Sequence, residues 1–130
     1  MSNSIKKKSL ELYKSWQKHK SYCPALKENI IFSSQGWNHI VGNKSSKKRS
    51  WNDVYRRLKL LPLAKEIICE STTVQNIETR NKTTYFVLEA MKLLTVNKKV
   101  QWCKVRVIII EDKIHRKIFL SVMDKKSPQI

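Results

Sequence analysis

The sequence predicts an α+β fold in which N-terminal helices pack on a C-terminal antiparallel β-sheet of about four strands. Two observations lead to this prediction. In the first part of the chain apolar residues recur at helical spacing, most clearly at Val54, Leu58 and Leu61. In the second part, β-branched and aromatic residues dominate short runs that are typical of strands. At 130 residues, with no internal repeat and no low-complexity linker, the chain is predicted to be a single domain, residues 1–130.

The helical part divides into a lead-in, residues 1–30, and a second region, residues 31–72. The lead-in is predicted to contain one or two helices broken by a proline. NIIFSS, a short strand or extended segment, spans the boundary of the two, and Gly36 is then predicted to turn the chain into a short helix carrying His39. The basic stretch NKSSKKRS then forms an exposed loop. In the helical run that follows, Pro62 is predicted to start a second helix or to kink the first.

Residues 73–124 are predicted to form the antiparallel sheet. The strand-like stretches are TTVQNIETRN, TTYFVLEAMKLL, VQWCKVRVIIIE and KIHRKIFLSVMD. The last two are expected to form a hairpin that turns at residues 111–113. Strict alternation along the last strand predicts two faces, one with Ile114, Ile118, Leu120 and Val122, the other with His115, Lys117, Phe119 and Ser121.

On the preceding strand, Lys104 and Arg106 share the parity of Trp102. Residues of one parity point to one face of a sheet. We therefore expect one face of the sheet to be apolar and covered by helices, and the other to be basic and open.

The charge balance indicates a negatively charged, extended partner. The chain has 27 lysines and arginines against 10 acidic residues, a formal net charge of +17.

The N-terminal stretch lacks the apolar core of a signal peptide, and no apolar run approaches the length of a membrane span. We therefore expect no membrane anchor and a cytoplasmic site of action. An amphipathic basic helix on a membrane surface is an alternative to a helix whose Leu12, Tyr13 and Trp16 pack on the core.

Cys23, Cys69 and Cys103 are an odd number of cysteines without a Cys-x-x-Cys pair. This pattern favours buried, reduced thiols over a disulfide framework or a zinc site. With three scattered histidines and few carboxylates, no local motif provides the ligands of a divalent metal. The sequence predicts neither a metal nor a cofactor.

His39 is the strongest candidate for acid–base chemistry, because it lies in a short segment bracketed by the only two glycines of the chain, Gly36 and Gly42. Cleaving RNA without a metal needs a base for the 2′-OH proton, an acid for the leaving oxygen and cations for the phosphate. The alternative for His39 is a helix-face histidine that borders the core beside Trp37.

Guanidinium groups match phosphate oxygens with paired donors. The candidates for phosphate binding are Arg49, Arg56, Arg57, Arg80 and Arg106, together with Lys104.

Three stretches in order, FSSQGWNHIV, RSWNDVYRRLKLLPLAKEII and KVRVIIIEDKIHRKIFLSVM, resemble the barnase, EndoU, colicin E5/D and RelE-like superfamily of ribonucleases, in particular its phage- and toxin-associated branch. The resemblance covers residues 30–123. It implies a metal-independent RNA endonuclease, often a toxin, that leaves a 2′,3′-cyclic phosphate and a 5′-OH. This sequence has Leu120 where an aromatic residue is common, and no clear counterpart of the catalytic glutamate of barnase-like members.

The resemblance and the charge pattern together give a set of predicted site residues. The predicted catalytic residues are His39, Arg57, Arg80, Lys104 and Ser121, with Ser121 orienting the phosphate. The predicted substrate-binding residues are Trp37, Lys48, Arg49, Arg106, His115 and Lys117. The predicted partners are RNA, such as tRNA or another cellular RNA, and an acidic immunity or antitoxin protein that neutralises the basic face.

Two other classes of function use the same charge. A basic nucleic-acid-binding protein of a phage or mobile element would coat RNA or DNA without cutting it, and would need no particular histidine. An inhibitor that docks on an acidic host protein would have no affinity for nucleic acid.

Overall fold

Three helices and a four-stranded sheet make up the fold of the computed structural model, which describes residues 2–42, 49–96 and 98–125. The helices are α1 (Ser2–Gln17), α2 (Ser34–Val41) and α3 (Trp51–Glu70). Two short strands, β1 (Tyr22–Cys23) and β2 (Glu28–Asn29), pair between α1 and α2. The main sheet has the order β3-β4-β5-β6 and is antiparallel throughout, with strands β3 (Asn76–Arg80), β4 (Thr83–Val96), β5 (Lys99–Glu111) and β6 (Lys117–Lys125). The predicted α+β class, with helices first and four strands last, is confirmed.

The lead-in differs from its prediction after Gln17. Residues 22–29 form the β1–β2 hairpin instead of a second helix. Two features favour a turn there: Pro24 has no amide hydrogen to donate, and Lys27 has a φ of 56°, in the left-handed region. The amide of Lys27 bonds to the carbonyl oxygen of Cys23 at 2.8 Å and closes the turn.

Helix α1 packs on the core through its aromatic residues. Tyr13 and Trp16 are buried, and their rings lie 5.6 and 5.0 Å from that of Phe32. Leu12, which was expected to pack beside them, is 36% exposed. No helix in the described part of the chain is long and apolar enough to cross a membrane.

Helix α3 is one helix of 20 residues that runs through Pro62. Ser50 caps it, because the Ser50 hydroxyl accepts a hydrogen bond from the amide of Asp53 at 3.2 Å. Its buried residues recur at three- and four-residue spacing, among them Val54, Leu58 and Leu61.

The cysteines differ in part from the prediction that all three are buried. Cys23 and Cys103 are buried, but Cys69 near the end of α3 is exposed.

The sheet has one covered and one open face, as the parity of β5 predicts. Val105, Val107 and Ile109 are fully buried against the helices. Trp102 on the opposite face is 59% exposed, and Leu93, its partner on β4, is 54% exposed. The open face therefore combines apolar side chains with the predicted basic ones.

Strict alternation fails along β6, which corrects the predicted faces. Phe119 pairs with Ile109 and Ser121 with Ile108, so Leu120 is an extra residue in a β-bulge. Phe119 and Val122 are consequently both fully buried, although three residues apart. The bulge also sets the position of Ser121.

Gly36 does not form the predicted turn. It lies inside α2 and is buried against β6. A methyl group at this position would overlap the carbonyl oxygen of Phe119 and come within 2.6 Å of the Tyr13 hydroxyl. The missing side chain therefore lets α2 lie directly on β6, and this contact places His39 at the edge of the sheet.

Candidate active site

Asp53 forms the centre of a cluster of charged side chains between α2, α3 and β6. Its Oδ2 lies 2.8 Å from Nη1 of Arg49 and 3.2 Å from Nε of Arg57. Arg49, Asp53 and Arg57 are spaced four residues apart. Asp53 and Arg57 therefore lie on one side of α3, and Arg49 lies just before its first residue. With His39 and Ser121 they are called the His39 cluster below.

Arg49 joins the start of α3 to α2. Its Nε donates to the carbonyl oxygen of His39 at 2.7 Å, and its Nη2 lies 3.0 Å from Nε2 of the same histidine. Because guanidinium groups only donate, Nε2 of His39 is the acceptor in this contact. The proton of the neutral imidazole is then on Nδ1.

Arg57 joins α3 to β6. Its Nη1 donates to Oγ of Ser121 at 2.6 Å and to the carbonyl oxygen of Val122 at 3.2 Å. Ser121 was predicted to donate to a phosphate, but it is 1% exposed. In this position its hydroxyl accepts from the Arg57 guanidinium and helps to orient it.

The charges of the cluster favour an anion. Two guanidinium groups share one carboxylate, which leaves an excess of one positive charge when His39 is neutral. Burial alone would raise the pKa of Asp53, but hydrogen bonds and charge from Arg49 and Arg57 lower it overall. Burial, followed by the charges of Arg49 and Arg57, lowers the pKa of His39 below its ordinary value of 6.5, against the opposing effect of Asp53.

A cleft of about 940 Å³ opens beside the cluster, and His39 lines it. The opposite walls are the β3–β4 turn and the β5–β6 turn. His115 lies in the second turn, with a φ of 66° and its side chain 83% exposed. Its Nδ1 is 3.3 Å from Oε2 of Glu111, which helps to orient the ring. Two of the three histidines of the chain therefore face the same cleft.

Arg80 is next to this cleft, stacked on an aromatic ring. Its guanidinium carbon lies 4.8 Å from the ring centre of Tyr85, and Tyr85 lines the cleft. Its Nε is 3.5 Å from the carboxylate of Glu78. Arg80 therefore supports one wall of the cleft from β3.

Lys104 and Arg106 are not part of this site. They lie on the open face of β5, where Arg106 donates to Glu89 at 2.9 Å and Lys104 is 3.9 Å from the same carboxylate. Ile110 lines the cleft, and six residues of strand separate Lys104 from it, roughly 20 Å. Lys104 is therefore remote from the cleft, and Arg106 is paired with Glu89.

Two further predicted substrate-binding residues are engaged elsewhere in the fold. Trp37 is buried, with its ring 5.7 Å from that of Tyr13. Lys117 is 8% exposed, and its ammonium group pairs with Glu111 at 2.7 Å and Glu28 at 2.9 Å. Lys48 lies outside the described residues.

Asp53 is the member of the cluster that the sequence analysis missed. The signal was present, since Arg49, Asp53 and Arg57 follow one another at intervals of four across the start of a predicted helix. An acidic residue between two arginines at this spacing indicates that the arginines are held in place.

Comparisons of the chain with models of protein families, with curated proteins and with solved structures found no match. The resemblance to the barnase-like ribonuclease superfamily thus stays a prediction from the sequence.

The cluster predicts a lowered His39 pKa that can be measured directly. In a pH titration of the imidazole signals by NMR, we expect His39 to titrate below 6.5, because burial and two guanidinium groups disfavour its charged form. Arg49→Gln is expected to raise this pKa, since it removes one positive charge. The same change at Arg106, on the open face, should leave it unaltered.

The sign of the effect on stability follows from the lowered pKa. The unfolded chain binds the His39 proton more tightly than the folded protein does. The contribution of neutral His39 to the free energy of unfolding is therefore present above a pH of about 6.5 and is lost as the pH falls through the pKa of His39 in the folded protein. A His39 that titrates at or above 6.5, or one that does not respond to Arg49→Gln, would contradict the arrangement.

Proposed function

We propose that this protein is a metal-independent RNA endonuclease that attacks through the 2′-OH and leaves a 2′,3′-cyclic phosphate and a 5′-OH. The observation that carries the proposal is that Arg49 and Arg57 share the carboxylate of Asp53, while Arg49 also contacts His39, which lines the cleft. These residues lie on α2, just before α3 and on α3, and together they combine a neutral imidazole with an excess of positive charge.

His39 is assigned as the general base. In the free protein its Nε2 accepts from Arg49. A bound phosphate offers the guanidinium a charged acceptor, and charge-assisted hydrogen bonds are the stronger ones. Arg49 then turns to the phosphate, and the Nε2 lone pair is released to take the 2′-OH proton. The lowered pKa of His39 keeps the imidazole neutral at neutral pH, as a base requires.

His115 is assigned as the general acid, and the arginines as the groups that stabilise the developing charge. The 2′ oxygen bonds to phosphorus, the bond from phosphorus to the 5′ oxygen breaks, and His115 donates a proton to that oxygen. Arg49 and Arg57 bind the phosphate oxygens as negative charge accumulates. Ser121 holds Arg57 in place, and Lys104 has no part in this chemistry.

The proposal is tested by incubating the purified protein with a defined RNA and with its all-deoxy counterpart, both in EDTA. The expected result is cleavage of the RNA alone, with cyclic-phosphate and 5′-OH ends, because DNA lacks the attacking hydroxyl. Intact RNA at saturating concentrations of folded protein would contradict the proposal. Binding without cleavage would indicate the alternative, a non-catalytic nucleic-acid-binding protein.

A cell that contains such an enzyme in its cytoplasm needs protection from it, and the proposal therefore includes an acidic immunity or antitoxin protein. The net charge of +17 favours a partner that covers the cleft with carboxylates. Their complex should weaken as the salt concentration rises. An affinity that does not change with salt would point to a mainly apolar interface instead.

A further inference from the structure

A second cavity, of about 380 Å³, lies between α3 and the distal part of β4. It is separate from the cleft that His39 lines. Its walls combine an aromatic ring, two aliphatic side chains, two cations and one carboxylate, namely Tyr55, Leu60, Leu94, Arg56, Lys59 and Asp124. It is called the α3 pocket below.

The apolar part of the α3 pocket suits a flat ring. Leu60 and Leu94 line it, and because Leu60 is buried and Leu94 is partly buried, their side chains are held in place. Tyr55 stands beside them at 41% exposure, and its ring lies 6.1 Å from that of Trp51. A large exposed aromatic side chain next to an apolar floor is the kind of surface on which nucleic-acid bases stack.

The polar part of the pocket suits a nucleotide. The ammonium group of Lys59 lies 5.5 Å from the centre of the Tyr55 ring, and Arg56 is half exposed, so both can reach a phosphate. Oδ1 of Asp124 accepts from Nε of Arg56 at 2.6 Å. A carboxylate held in this way is also an acceptor for the amino group of a base.

The α3 pocket lies near the His39 cluster. Arg56 and Arg57 are neighbours on α3, and their partners on β6, Asp124 and Ser121, are three residues apart. At the rise of a strand this spacing is roughly 10 Å. Leu120, one residue before Ser121, lines the cleft. The cleft, the cluster and the pocket therefore follow one another along β6.

We infer that the α3 pocket binds a base of a single-stranded RNA whose scissile phosphate lies at the His39 cluster. The inference rests on the proposed function and names its substrate class. A base inside a duplex is stacked and paired, so it cannot enter the pocket, whereas an unpaired base can. The net charge of +17 favours a polyanion as the occupant over a second copy of this chain, since two such copies repel each other.

The test measures binding of a fluorescent deoxycytidine oligonucleotide of about 12 nucleotides, within the ~4–16 that single-strand sites span. This probe has no 2′-OH and cannot be cleaved by the proposed reaction. Fluorescence anisotropy gives its Kd for the full chain. Tyr55→Ala is expected to raise the Kd about 5- to 150-fold, the range that stacking of one base contributes. Trp102→Ala, which removes an exposed aromatic from the open face, should change it less than about twofold.

The charge of the pocket is tested with two lysines of α3. Lys59 lies over the ring of Tyr55, and Lys65 lies in the same manner 5.8 Å from the ring of Trp16. Lys59→Gln is expected to weaken binding more than Lys65→Gln, although both remove one charge from one helix. A blunt duplex of the same length should not respond to Tyr55→Ala.

The inference and the proposed function fail in different ways. If the wild type cleaves RNA but Tyr55→Ala binds the probe like the wild type, the pocket is not a base site and the enzyme proposal stands. If Tyr55→Ala weakens binding and no RNA is cleaved, the pocket is still a base-binding site, but the enzyme proposal falls and with it the scissile phosphate at the His39 cluster. No binding of the probe by the wild type would overturn the inference.

Discussion

Replacing His39 with alanine is expected to reduce RNA cleavage by roughly 10²–10⁴-fold, the contribution that a positioned general base makes. The expectation rests on the position of the imidazole at the edge of the cleft, where its Nε2 is 3.0 Å from Arg49. Initial rates on a defined RNA in EDTA, measured at saturating and at low substrate, separate a loss in kcat from a loss in binding.

His19 provides the matched control for this experiment. It is exposed, just beyond the end of α1, and its substitution removes the same imidazole from the chain. His19→Ala should cleave RNA at the rate of the wild type, and circular dichroism should show both variants folded. A folded His39→Ala protein with undiminished activity would remove His39 from the mechanism.

The fold class could be predicted because it depends on short-range patterns. The apolar residues of α3 repeat with the helical period, and the strands of the second half are rich in β-branched and aromatic residues. Both patterns are local, and α3 and the covered face of β5 bury the side that their own pattern makes apolar. The β1–β2 hairpin was missed because its strands have two residues each, too few for any period.

The candidate site was only partly predictable, because it depends on contacts between remote segments. The bulge at Leu120 is a feature of the register between β5 and β6, and it determines that Ser121 meets Arg57. Nothing in the local sequence specifies this register shift. Conversely, Lys104 was a reasonable candidate by charge, but the length of β5 carries it away from the cleft.

Gly36→Ala is expected to destabilise the protein strongly. At an ordinary helix position this change stabilises a protein by up to about 1 kcal/mol, because alanine is the better helix former. Here the added methyl group meets the carbonyl oxygen of Phe119, which belongs to the backbone of a paired strand and cannot rotate away. Overpacking of this kind costs about 1–3 kcal/mol or more, so the expected sign is reversed.

Thermal unfolding of Gly36→Ala, followed by circular dichroism, should therefore show a Tm lower by roughly 5–15 °C. Gly42→Ala is a control for stability only, because Gly42 has a φ of +79° and ends the same helix, but a methyl group there would lie 3.1 Å from the amide nitrogen of Arg49. Its left-handed backbone costs an alanine about 1–2 kcal/mol without pushing α2 away from β6.

His39 lies on the same short helix as Gly36, so displacing α2 also moves the imidazole away from Arg49. Cleavage should accordingly fall in Gly36→Ala even at a temperature where the protein is folded. A Gly36→Ala protein as stable as the wild type would mean that α2 does not lie directly on β6, and the His39 cluster could not form as described.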